Sequence, residues 1–176
     1  MARHRSAGGF SLRRYNSCMD HPDRTVRGDA IIDLLRERLE PPPADNVPPA
    51  CFLSMGGEFL EYDPDAVRLT ARFPVRGEWL NPYGIVQGGF VVAAADNTVG
   101  PLSILVAPPS VTRTLEASYH APVRSDFGDI TVVARVQTIS GRRVVLTAEV
   151  LAPDGTVCTT VLASHTVLRD PPEGGF

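Results

Sequence analysis

One stretch of the sequence decides the fold: residues 88–96 read GGFVVAAAD. Its first eight residues are apolar side chains or glycine, and three successive alanines precede the acid. A segment that is apolar on every side is typical of a buried helix, since a surface helix keeps one polar face. We therefore expect a central helix that begins at the glycine pair and lies inside the domain.

Strand patterns flank this helix on both sides. Residues 67–73 alternate apolar and polar side chains before it, as a half-buried strand does. Four further strand stretches follow it, within residues 115–121, 130–136, 144–150 and 156–168. Tight-turn sequences, Ser-Gly-Arg at 140–142 and Pro-Asp-Gly at 153–155, separate the last three and predict an antiparallel meander. The predicted class is α+β, a curved antiparallel sheet wrapped round one long central helix.

The chain divides into three predicted segments around this unit. Residues 1–27 carry arginine-rich patches without apolar periodicity and are expected to form a flexible N-terminal extension. Residues 28–49 are expected to hold one amphipathic helix, over 29–40, and a proline-rich linker. Residues 50–170 are expected to form the domain itself, because 176 residues suit one core better than two.

Composition excludes several classes of function. The net charge of −3 disfavours a nucleic-acid partner, and all 17 basic residues are arginine, which excludes lysine chemistry. Three widely spaced cysteines without a CxxC pair predict neither a zinc site nor a disulfide framework. No apolar run is expected to span a membrane. The N-terminus lacks the apolar core of a signal peptide, so the expected compartment is the cytoplasm.

Chemistry is predicted at both ends of the GGFVVAAAD stretch. Asp96 follows six apolar residues, and an acid in apolar surroundings, which raise its pKa, can serve as a general base or nucleophile. Gly88 and Gly89 open the helix, where free N–H groups and the helix dipole suit a carbonyl oxygen that gains negative charge. Neither a GxGxxG nor a phosphate-loop pattern is present, which excludes the common nucleotide sites.

Together these residues resemble the signature of hotdog-fold acyl-CoA thioesterases of the PaaI-like branch. That pattern is roughly N-x-x-G-x-x-[HQ]-G-G followed by an acid, and residues 81–96 read NPYGIVQGGFVVAAAD. The resemblance extends over about residues 50–168 and includes Thr112, Gly128-Asp129-Ile130 and Gly141-Arg142. It implies a hotdog fold and hydrolysis of an acyl-CoA thioester to the free acid and CoA.

The resemblance also implies roles for single residues. Asp96 activates water or attacks directly, and the backbone N–H of Gly88 or Gly89 polarises the carbonyl. Asn81 holds the water or thioester, Gln87 positions without transferring protons, and Thr112 orients water. The family builds each site across a dimer interface, so a homodimer or homotetramer is expected. No metal or separate cofactor is implied, because CoA is part of the substrate.

Other assignments rest on the residues alone. Arg113, Arg142 and Arg143 could hold the phosphates of CoA, although plain solvated charges are the competing interpretation. His120 and His165 lie in strands without an acid at a motif spacing and are expected to be surface or core histidines. The alternatives to hydrolysis are a non-catalytic acyl-CoA-binding module, a hotdog dehydratase and a structural dimerisation module. The acyl group is left open.

Overall fold

The computed structural model describes residues 24–39 and 43–168. Its helices are α1 (Asp29–Arg38), α2 (Ala50–Ser54) and α3 (Gly88–Val106), with short 3-10 turns at Pro43–Asn46 and Gly77–Trp79. Its strands are β1 (Val26–Arg27), β2 (Glu58–Asp63), β3 (Arg68–Pro74), β4 (Ser110–Tyr119), β5 (Asp129–Ser140), β6 (Arg143–Leu151) and β7 (Val157–Val167). Two substantial strands, one long helix and four strands therefore follow one another as the sequence predicts.

One antiparallel sheet contains all seven strands, in the spatial order β1-β2-β3-β5-β6-β7-β4. The hairpins β5–β6 and β6–β7 confirm the two predicted tight turns. The predicted meander is wrong at β4, which pairs with β7 and not with its neighbour in sequence, β5. The alternating pattern shows which face of β4 is apolar, but it carries no information about which strand lies beside it.

Helix α3 packs against one face of this sheet and contacts β3 to β7. Its buried residues recur at helical spacing in one stripe, which includes Val91, Ala94, Ala95, Thr98, Val99, Leu102 and Leu105. The prediction of burial on every side is therefore wrong for the single chain, because Gly89, Phe90 and Asp96 are exposed. Helix α3 is also long and apolar enough to cross a membrane, so the expectation that no run approaches this length was too strong. Its packing under the sheet identifies it as the core helix.

The N-terminal part of the described chain is more ordered than expected. Val26–Arg27 pairs with Tyr62 and Glu61, so residues 24–27 belong to the folded unit and not to a flexible extension. Ala50–Ser54 is a short helix that the sequence analysis does not predict, and it buries Phe52 against Phe59 and Phe73. The expectation for residues 1–23 lies outside the described residues, as does the part of the linker at 40–42.

Candidate functional site

The start of α3 is held by the segment that leads into it. Gln87 is the N-cap residue with extended backbone angles, and its N–H donates to the Trp79 carbonyl at 2.8 Å. The Trp79 ring in turn stacks on Phe90 at a centroid distance of 5.2 Å. Gly88 and Gly89 occupy the first turn, where backbone N–H groups have no acceptor within the helix. Two adjacent donors are therefore fixed at a defined place on the surface.

Asn81 organises the turn before the helix. Its Oδ1 accepts the N–H of Tyr83 at 2.9 Å and that of Ile85 at 3.4 Å, and its own N–H donates to the Ile85 carbonyl at 2.8 Å. An Asn side chain that accepts from the backbone two residues on is a recurrent turn device. The structure thus gives Asn81 a positioning role for the segment between it and Gly88, in addition to any contact with substrate.

The two glycines differ in what surrounds them. A Cβ at Gly88 would stand 2.8 Å from Tyr119 Oη, whereas a Cβ at Gly89 meets nothing within 4 Å. The Tyr119 hydroxyl donates to the Gly88 carbonyl at 3.0 Å, so β4 reaches the helix start at its C-terminal end. Beside Gly88 lies a mostly apolar cavity of about 400 Å³, which we call the entrance cavity. It is lined by Asn81, Ile85, Val86, Val91, Tyr119, Val123 and Thr159, among others.

Asp96 lies two turns further along α3 and contacts the opposite end of β4. Thr112 Oγ1 donates to Asp96 Oδ1 at 3.2 Å, so the structure brings these two candidate residues together. Asp96 is exposed in the single chain, so the apolar surroundings predicted for it are absent there. Asp96 is also eight residues from Gly88, about 12 Å along the helix axis. One chain therefore does not bring the acid and the helix start together.

His165 is a neighbour of the acid that the sequence analysis missed. It lies on β7 directly opposite Thr112, is 1% exposed, and its Nε2 is 3.4 Å from Thr112 Oγ1. Burial lowers the pKa of His165, and the charge of Asp96 opposes that shift in part. The sequence did contain one indication that His165 faces the core, because it lies in the same alternating positions as the buried Val161 and Ala163.

The three predicted arginines converge on the outer face of the sheet. Arg113, Arg142 and Arg143 line one groove of about 510 Å³, which we call the arginine groove. Its other lining residues all carry hydroxyl groups: Thr114, Ser140, Ser164 and Thr166. Two guanidinium groups are fixed through Nε, Arg142 to the Val167 carbonyl at 2.9 Å and Arg143 to Ser164 Oγ at 3.1 Å. The groove has no carboxylate in its lining, so its charge is available to an anion.

Within residues 24–39 and 43–168 there is no candidate metal centre. In the part of the chain that the structure describes, no three His, Cys, Asp or Glu side chains lie close enough to hold a metal ion. Cys51 is exposed, with its thiol 3.4 Å from Asn97 Oδ1, and Cys158 is buried. The candidate site consists of Asp96, Thr112, the helix start and the arginine groove.

Residues 83–159 match the family model of the thioesterase superfamily. The match covers 77 of the 176 residues and makes this part of the chain similar to that superfamily. The match runs from the turn before α3 to β7, and so contains the helix start, Asp96 and Thr112. Among curated protein sequences, none matches this chain. The hotdog fold predicted from the resemblance is confirmed.

Solved structures share this fold. The phenylacetic acid degradation-related protein of Ralstonia eutropha JMP134 is 24% identical, with a TM-score of 0.65 over 78% of this chain and 98% of that one. The E. coli PaaI protein from the phenylacetic acid degradation operon is 14% identical, with a TM-score of 0.67 over 78% and 96%. Thioesterase HI1161 of Haemophilus influenzae is 20% identical, with a TM-score of 0.62 over 68% and 83%. At these identities the likeness establishes the fold, and two of the names agree with the predicted PaaI-like branch.

Proposed function

We propose that the protein hydrolyses an acyl-CoA thioester to the free acid and CoA, with Asp96 as the group that activates water. The observation that carries the proposal is the placement of Asp96, a carboxylate held by Thr112 at 3.2 Å on the exposed face of the core helix. The match of residues 83–159 to the thioesterase superfamily model supports the reaction class. The reaction needs water as co-substrate and no metal or redox cofactor, and we assign it to the cytoplasm.

The proposed chemistry follows from Asp96 as a proton acceptor and from the glycine N–H groups at the helix start as hydrogen-bond donors. Asp96 takes a proton from water as the oxygen attacks the thioester carbonyl carbon, and the Gly88 or Gly89 N–H stabilises the oxyanion that forms. The C–S bond then breaks, and the CoA sulfur receives the proton. Direct attack by Asp96 on the carbonyl is the competing route. In that route the C–S bond breaks as the mixed anhydride forms, CoA leaves as the thiolate, and water then hydrolyses the anhydride to the free acid and Asp96.

A base and an oxyanion donor that act on one carbonyl through one water stand about 6–7 Å apart. Within one chain Gly88 and Asp96 are about 12 Å apart along the helix, so the site requires a second copy of the chain. Strand β4 is the natural place for that copy, because no strand of the described residues pairs with its outer edge. Most of its side chains are exposed on both faces.

The contacts of β4 also indicate how the two copies meet. Thr112, near one end of β4, contacts Asp96, and Tyr119, at the other end, contacts Gly88. Antiparallel pairing of β4 with its copy, about a two-fold axis near Leu115, sets the Thr112 end of one chain against the Tyr119 end of the other. Each Asp96 then faces Gly88 of the partner subunit, and the dimer holds two equivalent sites.

The two cavities fit the two parts of the substrate. The arginine groove offers three guanidinium groups and four hydroxyls, which suits the phosphates of CoA. Arg113 follows Thr112 directly on β4, so the groove lies at the same sheet edge as the catalytic acid. The entrance cavity is mostly apolar and borders Gly88, which suits the acyl group.

The test is CoA release, followed with a thiol reagent, over a panel of aliphatic and aryl acyl-CoAs. Asp96→Asn keeps the shape and the acceptor oxygen for Thr112 but cannot take the proton, so we expect turnover to fall at least about 100-fold. Asp154→Asn, an exposed hairpin-turn acid far from α3 in sequence, is the matched control and is expected to keep wild-type turnover. Turnover that survives Asp96→Asn would refute the mechanism. Acyl-CoA binding without turnover in the wild type would favour the non-catalytic binding module.

A further inference from the structure

Three side chains from three different elements form a hydrogen-bonded row behind the proposed base. His165 on β7 lies 3.4 Å from Thr112 on β4, and Thr112 donates to Asp96 on α3 at 3.2 Å. The row runs from the core to the surface, since His165 is 1% exposed and Asp96 is exposed. Such contacts are often long before substrate binds and shorten in the reacting complex.

The direction of each hydrogen bond in the row is determined by counting hydrogens. A hydroxyl has one hydrogen, and an ionised carboxylate can only accept a hydrogen bond. The Thr112 hydroxyl therefore donates its single hydrogen to Asp96. The Thr112 oxygen must then accept from His165, which requires a hydrogen on Nε2. A neutral imidazole with that hydrogen carries none on Nδ1, and Nδ1 is the buried atom of His165 that has no hydrogen-bond partner in the described structure.

The surroundings of the ring favour the neutral form. Burial lowers the pKa of His165, and Asp96 is the charged group that counters this effect. A neutral ring with a bare Nδ1 leaves only a lone pair unsatisfied, whereas a protonated ring would leave a buried N–H and a buried charge without a partner. The Nε2–H tautomer is therefore the form that fits the site.

We propose that His165 is a positioning residue for the proposed hydrolysis, acting on Asp96 through Thr112. Its Nε2–H donates a hydrogen bond to Thr112 Oγ1. The Thr112 hydroxyl hydrogen is thereby directed toward Asp96 Oδ1. With Oδ1 held in this way, the other carboxylate oxygen is left to take the proton of the attacking water. This inference rests on the proposed function, and it names a residue that touches neither the water nor the thioester.

Three substitutions separate positioning from simple core packing. His165→Phe removes the donor but keeps a ring of similar size, and we expect kcat to fall about three- to tenfold with KM unchanged. The melting temperature should hold or rise, because the unpartnered Nδ1 disappears. His165→Gln places an amide N–H near the position of Nε2 and should restore most of kcat. His165→Asn is one methylene shorter, cannot reach Thr112, and should behave like His165→Phe.

Two further measurements complete the test. Val132→Ala, a buried change on β5, is the control for a general disturbance of the core; it should lower the melting temperature and leave kcat unchanged. Two-bond ¹⁵N–¹H correlation spectra of the wild type, with His165→Phe to assign the signal, should show the Nε2–H tautomer. The Nδ1–H tautomer or a protonated ring near neutral pH would overturn the inference.

The outcomes distinguish this inference from the proposed function. A slow Asp96→Asn variant with an unaffected His165→Phe variant overturns the role of His165 alone. A wild type without turnover, or an Asp96→Asn variant as fast as the wild type, removes the proposed function and the role of His165 with it. A loss of kcat in His165→Phe and His165→Asn that His165→Gln restores supports both.

Discussion

Two inactive variants are expected to restore activity to each other if each site is built from two chains. Asp96→Asn removes the base, and Gly88→Pro removes the backbone N–H at the helix start. Gly88 is the first helical residue, where proline is tolerated, and the backbone angles of Gln87 suit a residue before proline. The 12 Å between Gly88 and Asp96 along one helix places these two defects in different sites of a homodimer.

The size of the effect follows from the two-fold arrangement. A dimer of one Asp96→Asn chain and one Gly88→Pro chain has one site with both defects and one site with neither. Random pairing at equal amounts makes about half of the dimers mixed, and each mixed dimer keeps one of its two sites. The mixture should therefore recover about 25% of wild-type activity per chain, from parents that each show about 1% or less.

In the assay, each variant carries its own affinity tag, and the two variants are mixed, unfolded and refolded together. Dimers that carry both tags are then isolated. These should show about half of the wild-type rate per chain, since one of two sites is intact. Gly88→Ala is the steric control: its Cβ displaces Tyr119, as the proline ring does, but it keeps the N–H. If Gly88→Ala is also inactive, displacement of Tyr119 and not loss of the donor explains the defect.

One result would refute the reasoning. Doubly tagged dimers that are no more active than their parents would mean that Gly88 and Asp96 act within the same chain, or that the chains pair along another edge. An active Asp96→Asn parent would refute the role of the acid directly, whereas an active Gly88→Pro parent would exclude Gly88 and leave the Gly89 N–H as the donor.

Three further outcomes are expected. Replacing Arg142 and Arg143 with Gln should raise KM for acyl-CoA about tenfold but leave KM for a phosphate-free N-acetylcysteamine thioester unchanged, because only the phosphates reach the arginine groove. Asn81→Ala leaves the Tyr83 and Ile85 N–H groups without their acceptor and should lower the melting temperature by about 2–4 °C, whereas Asn81→Asp keeps the acceptor and should not. Burial lowers the pKa of His165, so the unfolded chain binds more protons below pH about 6.5. The free energy of unfolding should therefore decrease as the pH falls below that value, and urea titrations of His165→Phe should show a smaller decrease.

The local sequence was sufficient to predict the helices and strands that are defined by an apolar stretch, by apolar/polar alternation or by a turn sequence. The apolar GGFVVAAA stretch predicts α3, and alternation predicts β3 and the strands of the C-terminal half. The turn sequences at 140–142 and 153–155 predict both hairpins, since glycine adopts the positive φ that Gly141 and Gly155 have. The short helix α2 was missed because five residues carry too little periodicity to be distinguished from strand pattern.

What the sequence could not supply is the partner of each element. Alternation places Leu115 and Ala117 on one face of β4 but does not show that β4 crosses to β7. The row from His165 to Asp96 exists only because of that crossing, which sets Thr112 opposite His165. With β4 next to β5, as predicted, His165 has no acid near it and is interpreted as an ordinary core histidine. An error in topology thus became an error in the candidate site.

The same strand explains why the single chain is incomplete in both structure and chemistry. Strand β4 has ten residues and leaves its outer edge unpaired among the described strands, a length at which an exposed edge invites association. Its two ends carry the contacts to Asp96 and to Gly88, the groups that one helix holds too far apart to act together. Pairing with a second copy would close the edge, cover the exposed face of α3 around Asp96, and join the two half-sites in one step. On this proposal the activity is a property of the assembled dimer, and any change that weakens the β4 edge should lower turnover and dimer stability together.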